Sequence, residues 1–457
     1  MDNLISEQEA KRKIDEAEAV LLKSFDRLLA LKRADDNFND FVLKFQPELA
    51  ECLYNLMTFY RKLKSEARDL ISKKEVYSPN EFSELMSRNK KFTDTVKKTI
   101  EIGKRLGDAF VWFFYQGNLS ELEKHFQHES TGLFVTGVGG RGEIEFIKNT
   151  PILNGCLVLY HGITSMLRIG DFSLYGFDRG IVGIGELKSN QIGENIQVRA
   201  YITSKIKIDF ESHSGILGNS QSSEAHDLDP NVVARLKKQL TAHGKALHSR
   251  NADMQVSKIA HFEYNLINEL ERNDIVLNDN KSLLLLATRS TYNGLFEVLS
   301  EKEDWILPES LRSTAEQMIV PNNAYNRMII GAITTDMSYS RKPILWWGID
   351  ENVCRDIYFN KLQIATIFNP VQMIQHYIDK GYSLVHSSDT RQIKLRKISG
   401  DYRTEFGNFE LLFDLVSHSL LKTEYVIEIA DQVITDIESG KFPPNSKIDM
   451  ITHFPYI

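Results

Sequence analysis

Cysteine is scarce. Cys52, Cys156 and Cys354 are the only three in 457 residues. That excludes a disulfide framework, and with no zinc-type Cys/His spacing it also excludes a structural zinc module. Such thiols suit a reducing cytoplasm, which is the expected location. Long apolar runs are missing as well. No window approaches about eighteen consecutive apolar residues, so no membrane span is expected. Met1-Asp-Asn-Leu4 opens no apolar segment, so no signal peptide is expected either. Net positive charge is absent: 55 Lys and Arg face 62 Asp and Glu, a formal charge of −7. A uniformly basic nucleic-acid binder is thereby excluded, and any phosphate-binding surface must be a local patch. The remaining composition, 42% hydrophobic and 26% charged, is that of an ordinary globular protein. The length predicts two or three domains.

Residues 4–116 read as helices. Ile14, Ala17, Leu21, Leu28 and Leu31 fall near heptad spacing with charges between them. A second helical region runs from about Asn39 to Lys73, with Pro47 near its start. Ser78-Pro79 has N-cap and first-turn chemistry for a third helix, which reaches Phe114 and ends in Ala109-Phe-Val-Trp-Phe-Phe-Tyr115, a segment that must be buried. These helices are expected to pack on the next domain, with self-association or partner binding as the functional alternative. His125 and His128 stand near one another without other ligand-type residues.

Gly137, Gly139 and Gly142 satisfy G-x-G-x-x-G, the dinucleotide-binding fingerprint. The following helix is cut short by Pro151, however, and the strand Cys156–Gly162 ends without the acid that would hold a ribose. The glycines are better used to turn the backbone into a helix carrying Glu143 and Glu145.

The stretch Leu167–Lys188 organises the rest. Leu167–Tyr175 alternates apolar and polar residues around Asp171. Gly176-Phe-Asp-Arg-Gly180 supplies a turn. Ile181–Lys188 is apolar until Glu186-Leu-Lys188, where the charges come at its end. Side chains two apart on a strand share a face, so Glu186 and Lys188 point the same way, and pairing about the turn brings Asp171 near Glu186. Two close carboxylates share a proton or hold a cation. Hard oxygen donors in this number suit Mg²⁺ or Mn²⁺, and Lys188 is placed to orient water or offset charge at a phosphate.

Asp171, the turn and Glu186-Leu-Lys188 together resemble the PD-(D/E)XK nuclease superfamily, with Gly170 where that pattern has proline. The resemblance spans about residues 131–290. It implies a restriction-endonuclease-like α/β core, with metal held by Asp171, Glu186 and the Leu187 carbonyl and with Lys188 at the attacking water. Such nucleases often add a carboxylate from the helix before the Asp strand, for which Glu143 is the first choice and Glu145 the second. The implied activity is metal-dependent cleavage of nucleic acid, with DNA the first expectation, in a setting such as bacterial defence. A catalytically inactive nuclease-like binding or sensing module is the rival expectation.

Gln191 and Gln197 are candidates to extend the site. Glu211–Asp229 reads as a polar loop, and Asp229-Pro230 opens a helix. That helix carries Arg235, Lys237, Lys238, Lys245 and Arg250 without an acid, making it the candidate for phosphate contact. Ser282–Thr288 is expected to be a last core strand of the nuclease sheet. Pro343–Trp347 reads as an apolar strand, and Phe406–Glu438 as helical. The expected division is a helical region over 1–130, a nuclease domain over 131–295 and an α+β domain over 296–457.

Overall fold

The structure, a computed structural model, describes residues 4–33, 38–116, 119–128, 136–193, 195–204, 261–301, 308–335, 342–386, 393–399, 402–407 and 409–441. It is a mixed α/β protein with an N-terminal helical region and antiparallel sheets. Among the described residues no helix is long and apolar enough to cross a membrane.

The expected helices are present as α1 (Glu7–Arg33), α2 (Phe38–Ser72) and α3 (Pro79–Tyr115). The heptad residues of α1 bury themselves, with Ile14, Leu21 and Leu28 fully enclosed. Ser78 starts α3 through a reciprocal capping box: its hydroxyl accepts from the Glu81 N–H, and the Glu81 carboxylate accepts from the Ser78 N–H at 2.9 Å. This satisfies donors that the first helical turn leaves orphaned. Phe45 of α2 stacks on Phe110 of α3 with centroids 4.5 Å apart. Two further helices follow, α4 (Leu119–Phe126) and α5 (Gly137–Asn149).

A five-stranded antiparallel sheet comes next in strict sequence order: β1 (Ile152–Leu153), β2 (Cys156–Tyr160), β3 (Phe172–Gly176), β4 (Gly180–Ile192) and β5 (Asn195–Ser204). One face of its centre meets α3, where Phe114 packs edge-on against Tyr175. The other meets α5, where Phe146 lies against Phe172. The Gly137-x-Gly139-x-x-Gly142 segment is itself the first part of α5 rather than a loop before it. A Cβ at Gly142 would stand 2.2 Å from the Ser189 hydroxyl, so this glycine lets α5 seat closely on β4.

The chain divides into two compact units. The helical bundle and the five-stranded sheet form one unit, which also takes residues 291–301; their helix Leu295–Ser300 returns to α1 and α3 through Lys11–Glu297 and Lys91–Glu301 pairs. The second unit holds a four-stranded antiparallel sheet of β6 (Ile275–Leu277), β7 (Leu283–Arg289), β8 (Ile329–Ile333) and β9 (Leu362–Phe368), in the order β6-β7-β9-β8. It also holds a three-stranded sheet of β10 (Ser383–His386), β11 (Ile393–Ser399) and β12 (Tyr402–Phe406). The strand expected to close the nuclease sheet, Ser282–Thr288, is therefore β7 of the second unit. Its apolar run, buried from Leu283 to Ala287, satisfies either sheet equally well, and long-range pairing with β9 decides the matter. Pro343–Trp347 is not a strand but holds a short 3-10 turn, Ile344–Trp346, with Trp346 and Trp347 buried. Phe406 ends β12, and the helical stretch after it is broken into Leu411–Ser417 and Thr423–Glu438.

Candidate active site

β3 and β4 make the expected hairpin about Gly176–Gly180, but β3 begins only at Phe172. Leu167–Asp171 is a loop instead of strand. Gly170 has φ +70°, a conformation that proline, locked near −65°, cannot adopt. The position before the Asp therefore has a backbone reason to be glycine here.

The register pairs Phe172 with Gly185, so Asp171 comes to lie beside Glu186. Its N–H donates to the Gly185 carbonyl at 2.8 Å, and its Oδ2 accepts from the Leu187 N–H at 2.6 Å. Alternate residues of a strand turn their main-chain groups to the same side. Gly185 and Leu187 both turn theirs toward β3, which has no residue opposite Leu187. The Leu187 carbonyl thus opens onto the gap beside Asp171. Burial raises the Asp171 carboxyl above its ordinary value; the Leu187 N–H opposes this, Glu186 adds to it and Lys188 opposes it.

Glu186 and Lys188 do not end their strand, since β4 continues to Ile192. Their side chains are 60% and 64% exposed and lie 3.4 Å apart. They stand on the rim of the sheet rather than in its core, because Leu187 between them takes the buried side.

Glu143 is buried and accepts a 2.5 Å hydrogen bond from the Tyr160 hydroxyl. Burial pushes its carboxyl up to about 7; the Tyr160 bond opposes the rise, Asp171 reinforces it and Lys188 opposes it. Tyr160 pairs with Phe172, and both project to the α5 side of the sheet. Glu186 and Lys188 have the other parity on β4. Glu143 and Glu186 therefore stand on opposite sides of the strand, with Asp171 at the edge between them. Glu145 is half-buried and pairs with Lys148 at 3.7 Å, so of the two candidates it is Glu143 that reaches Asp171 electrostatically. Gln197 pairs with Asn190 and shares the Glu186 side, while Gln191 has the opposite parity and turns its amide to the Gly193 carbonyl.

Among the described residues no group of three or more His, Cys, Asp or Glu side chains could hold a metal. The oxygens at the hairpin that could serve as donors are Asp171 Oδ1, the Glu186 carboxylate and the Leu187 carbonyl. So small a hard set fits a cation that keeps several waters, such as Mg²⁺ or Mn²⁺. The basic stretch Arg235, Lys237, Lys238, Lys245 and Arg250 lies outside the described residues.

The loop that delivers Asp171 is anchored by residues the sequence did not mark. Asp108 of α3 is fully buried and accepts from the Ser165 N–H at 2.8 Å, the Ser165 hydroxyl at 2.5 Å and the Met166 N–H at 3.1 Å. His125 of α4 accepts at Nδ1 from the N–H groups of Arg168 and Ile169, at 3.0 and 3.1 Å. His161 bonds the Gly170 carbonyl and the Ser173 hydroxyl, and Ser173 also bonds Tyr115 at 2.7 Å. Burial pushes His125 down to about 4 and His161 down to about 3, so both are neutral imidazoles. No apolar period or motif announces Asp108 and His125 as partners, since they lie 57 and 43 residues from Ser165 and Arg168 in sequence.

Compared with protein families, curated proteins and solved structures, the chain finds no match.

Proposed function

We propose that the first unit is a metal-dependent nuclease of restriction-endonuclease-like architecture, hydrolysing phosphodiester bonds. One observation carries the reading: the Phe172–Gly185 register brings Asp171 beside Glu186-Leu187-Lys188 at an open strand edge. Asp171 Oδ1, the Glu186 carboxylate and the Leu187 carbonyl would hold Mg²⁺ or Mn²⁺. Such a cation supplies Lewis acidity and a water activated at neutral pH. Lys188 orients that water and offsets negative charge growing on the phosphate. Its pair with Glu186 is exposed and worth at most about 1 kcal/mol, so the ammonium is readily redirected. The buried Leu187 N–H fixes the Asp171 carboxylate, leaving one oxygen to face a cation. Foreign DNA met in cellular defence is the substrate setting in which such a site would be used.

The exposure of Glu186 and Lys188, with no third carboxylate on their side among the described residues, favours a second reading, an inactive nuclease-like module that binds or senses nucleic acid. One experiment separates the two. Purified protein is incubated with plasmid, linear DNA and RNA in Mg²⁺, Mn²⁺ or EDTA. Cleavage is expected only with a divalent cation. Asp171→Ala, Glu186→Ala and Lys188→Ala should each lower it by about 100-fold or more while thermal melts stay cooperative. No cleavage of any substrate with either cation would leave the binding module standing.

A further inference from the structure

The exposed side of the β4–β5 ribbon continues outward from the carboxylates in ordered rungs. Glu186 stands opposite Tyr201, Lys188 opposite Arg199, Asn190 opposite Gln197 and Ile192 opposite Asn195. Directly paired residues project to the same side, and so do residues two apart along a strand. These eight side chains therefore form one face. The intervening Leu187, Ser189, Ile196 and Val198 have the other parity, and Ser189 and Ile196 are the ones that crowd Gly142 of α5. Helix α5 thus covers one side of the ribbon and leaves the other open. On the open side Tyr201 is 57% exposed and Ile192 60%, and Arg199 and Asn190 are exposed too.

We propose that this face is a track for a single polynucleotide strand with unpaired bases, leading it to the Asp171–Glu186 edge. The inference rests on the nuclease reading and adds its substrate class. The Tyr201 ring shares its rung with Glu186, a carboxylate of the site, and has no hydrogen bond or ion pair of its own among the described residues. An exposed phenol ring offers a stacking surface, and every base has a face to stack on it. In a duplex those faces are already stacked, so the ring selects unpaired bases. Arg199 is also without an ion pair among the described residues, and beside Lys188 it supplies local positive charge in a chain whose net charge is −7. Asn190 and Gln197 on the next rung carry donors and acceptors suited to base edges or phosphates. The ribbon also limits sequence preference, because stacking and backbone charge recognise no particular base.

The test is fluorescence anisotropy of the full chain in EDTA, with labelled single-stranded DNA and RNA and a blunt duplex, each of roughly 20 nucleotides, enough to span a strand-binding site of this kind. The wild-type protein is expected to bind a single strand more tightly than the duplex, and the DNA and RNA arms report which sugar is preferred. Tyr201→Ala should weaken single-strand binding by about 10-fold, within the range set by one stacked base, and Tyr201→Phe should restore it. Arg199→Gln should reduce the salt slope by about 0.7. Gln191→Ala, on the same ribbon but with the opposite parity, should change nothing. Tighter binding to duplex, an unchanged Tyr201→Ala, equal losses in the Ala and Phe variants, or a face that proves to join two copies by light scattering would each overturn the track. Binding is read without metal or turnover, so the two proposals fail separately. Intact strand binding without cleavage overturns only the nuclease reading, and cleavage by a protein indifferent to Tyr201 overturns only the track.

Discussion

Glu143 sits in an environment that holds its proton. Burial favours the neutral acid, and the folded value of about 7 stands above the ordinary 4.5. The unfolded chain gives up the proton first as pH rises. Stability from this group is therefore complete below about pH 4.5 and is lost as pH climbs through about 7. The loss is on the order of 3 kcal/mol. Glu143→Gln keeps a group for the Tyr160 hydroxyl and has no proton to lose. Its stability relative to wild type should rise from pH 5 to pH 8, as read by urea unfolding at a series of pH values; parallel curves for the two proteins would show that Glu143 ionises normally. His125 has the opposite sign. Its folded value is about 4 against an ordinary 6.5, so its contribution is present above about 6.5 and is lost as pH falls through about 4. The two groups destabilise the fold from opposite ends of the pH scale.

Thr164–Asp171 has no regular structure, and four of its main-chain donors, those of Ser165, Met166, Arg168 and Ile169, are satisfied by Asp108 and His125 from two helices. His125→Ala should leave the Arg168 and Ile169 N–H groups without acceptors and cost about 2–4 kcal/mol, since each buried unsatisfied group costs about 1–3 kcal/mol. Chemical denaturation at pH 7.5 measures it, and a cost below about 1 kcal/mol would mean that water takes over the bonds. That Asp171 comes to lie beside Glu186 was legible in the sequence, because a strand has period two and a Gly-bounded turn fixes where its arms meet. The helices were legible through the heptad of α1 and the Ser78–Glu81 cap. Tyr160 was not, because Cys156-Leu-Val-Leu-Tyr160 reads as uninterrupted core and the hydroxyl at its end leaves no periodic trace. Nor were the anchors: Asp108 lies in an apolar run of α3, and His125 lies 43 residues from its first partner. The apolar run of β7 records that it is buried but not which sheet buries it.

At the scale of the whole chain the helical bundle and the five-stranded sheet share one core. Phe110, Phe114 and Tyr115 near the end of α3 are at most 1% exposed, and Phe114 and Tyr115 reach β3 through Tyr175 and Ser173. Gln46 of α2 bonds both the Val158 carbonyl and the Tyr160 N–H of β2, at 2.8 and 2.7 Å. Burying one such aromatic contributes about 1.5–3 kcal/mol, and a folded domain retains only about 5–15 kcal/mol in all. Removing three of them together with the Gln46 bonds withdraws an amount comparable to the whole. A fragment of residues 131–295 should accordingly show no cooperative melt and should bind a hydrophobic dye, whereas the full chain melts cooperatively. A sharp melt for that fragment would mean that the sheet carries a sufficient core of its own, and the helices would then be an attachment rather than half of the site's foundation.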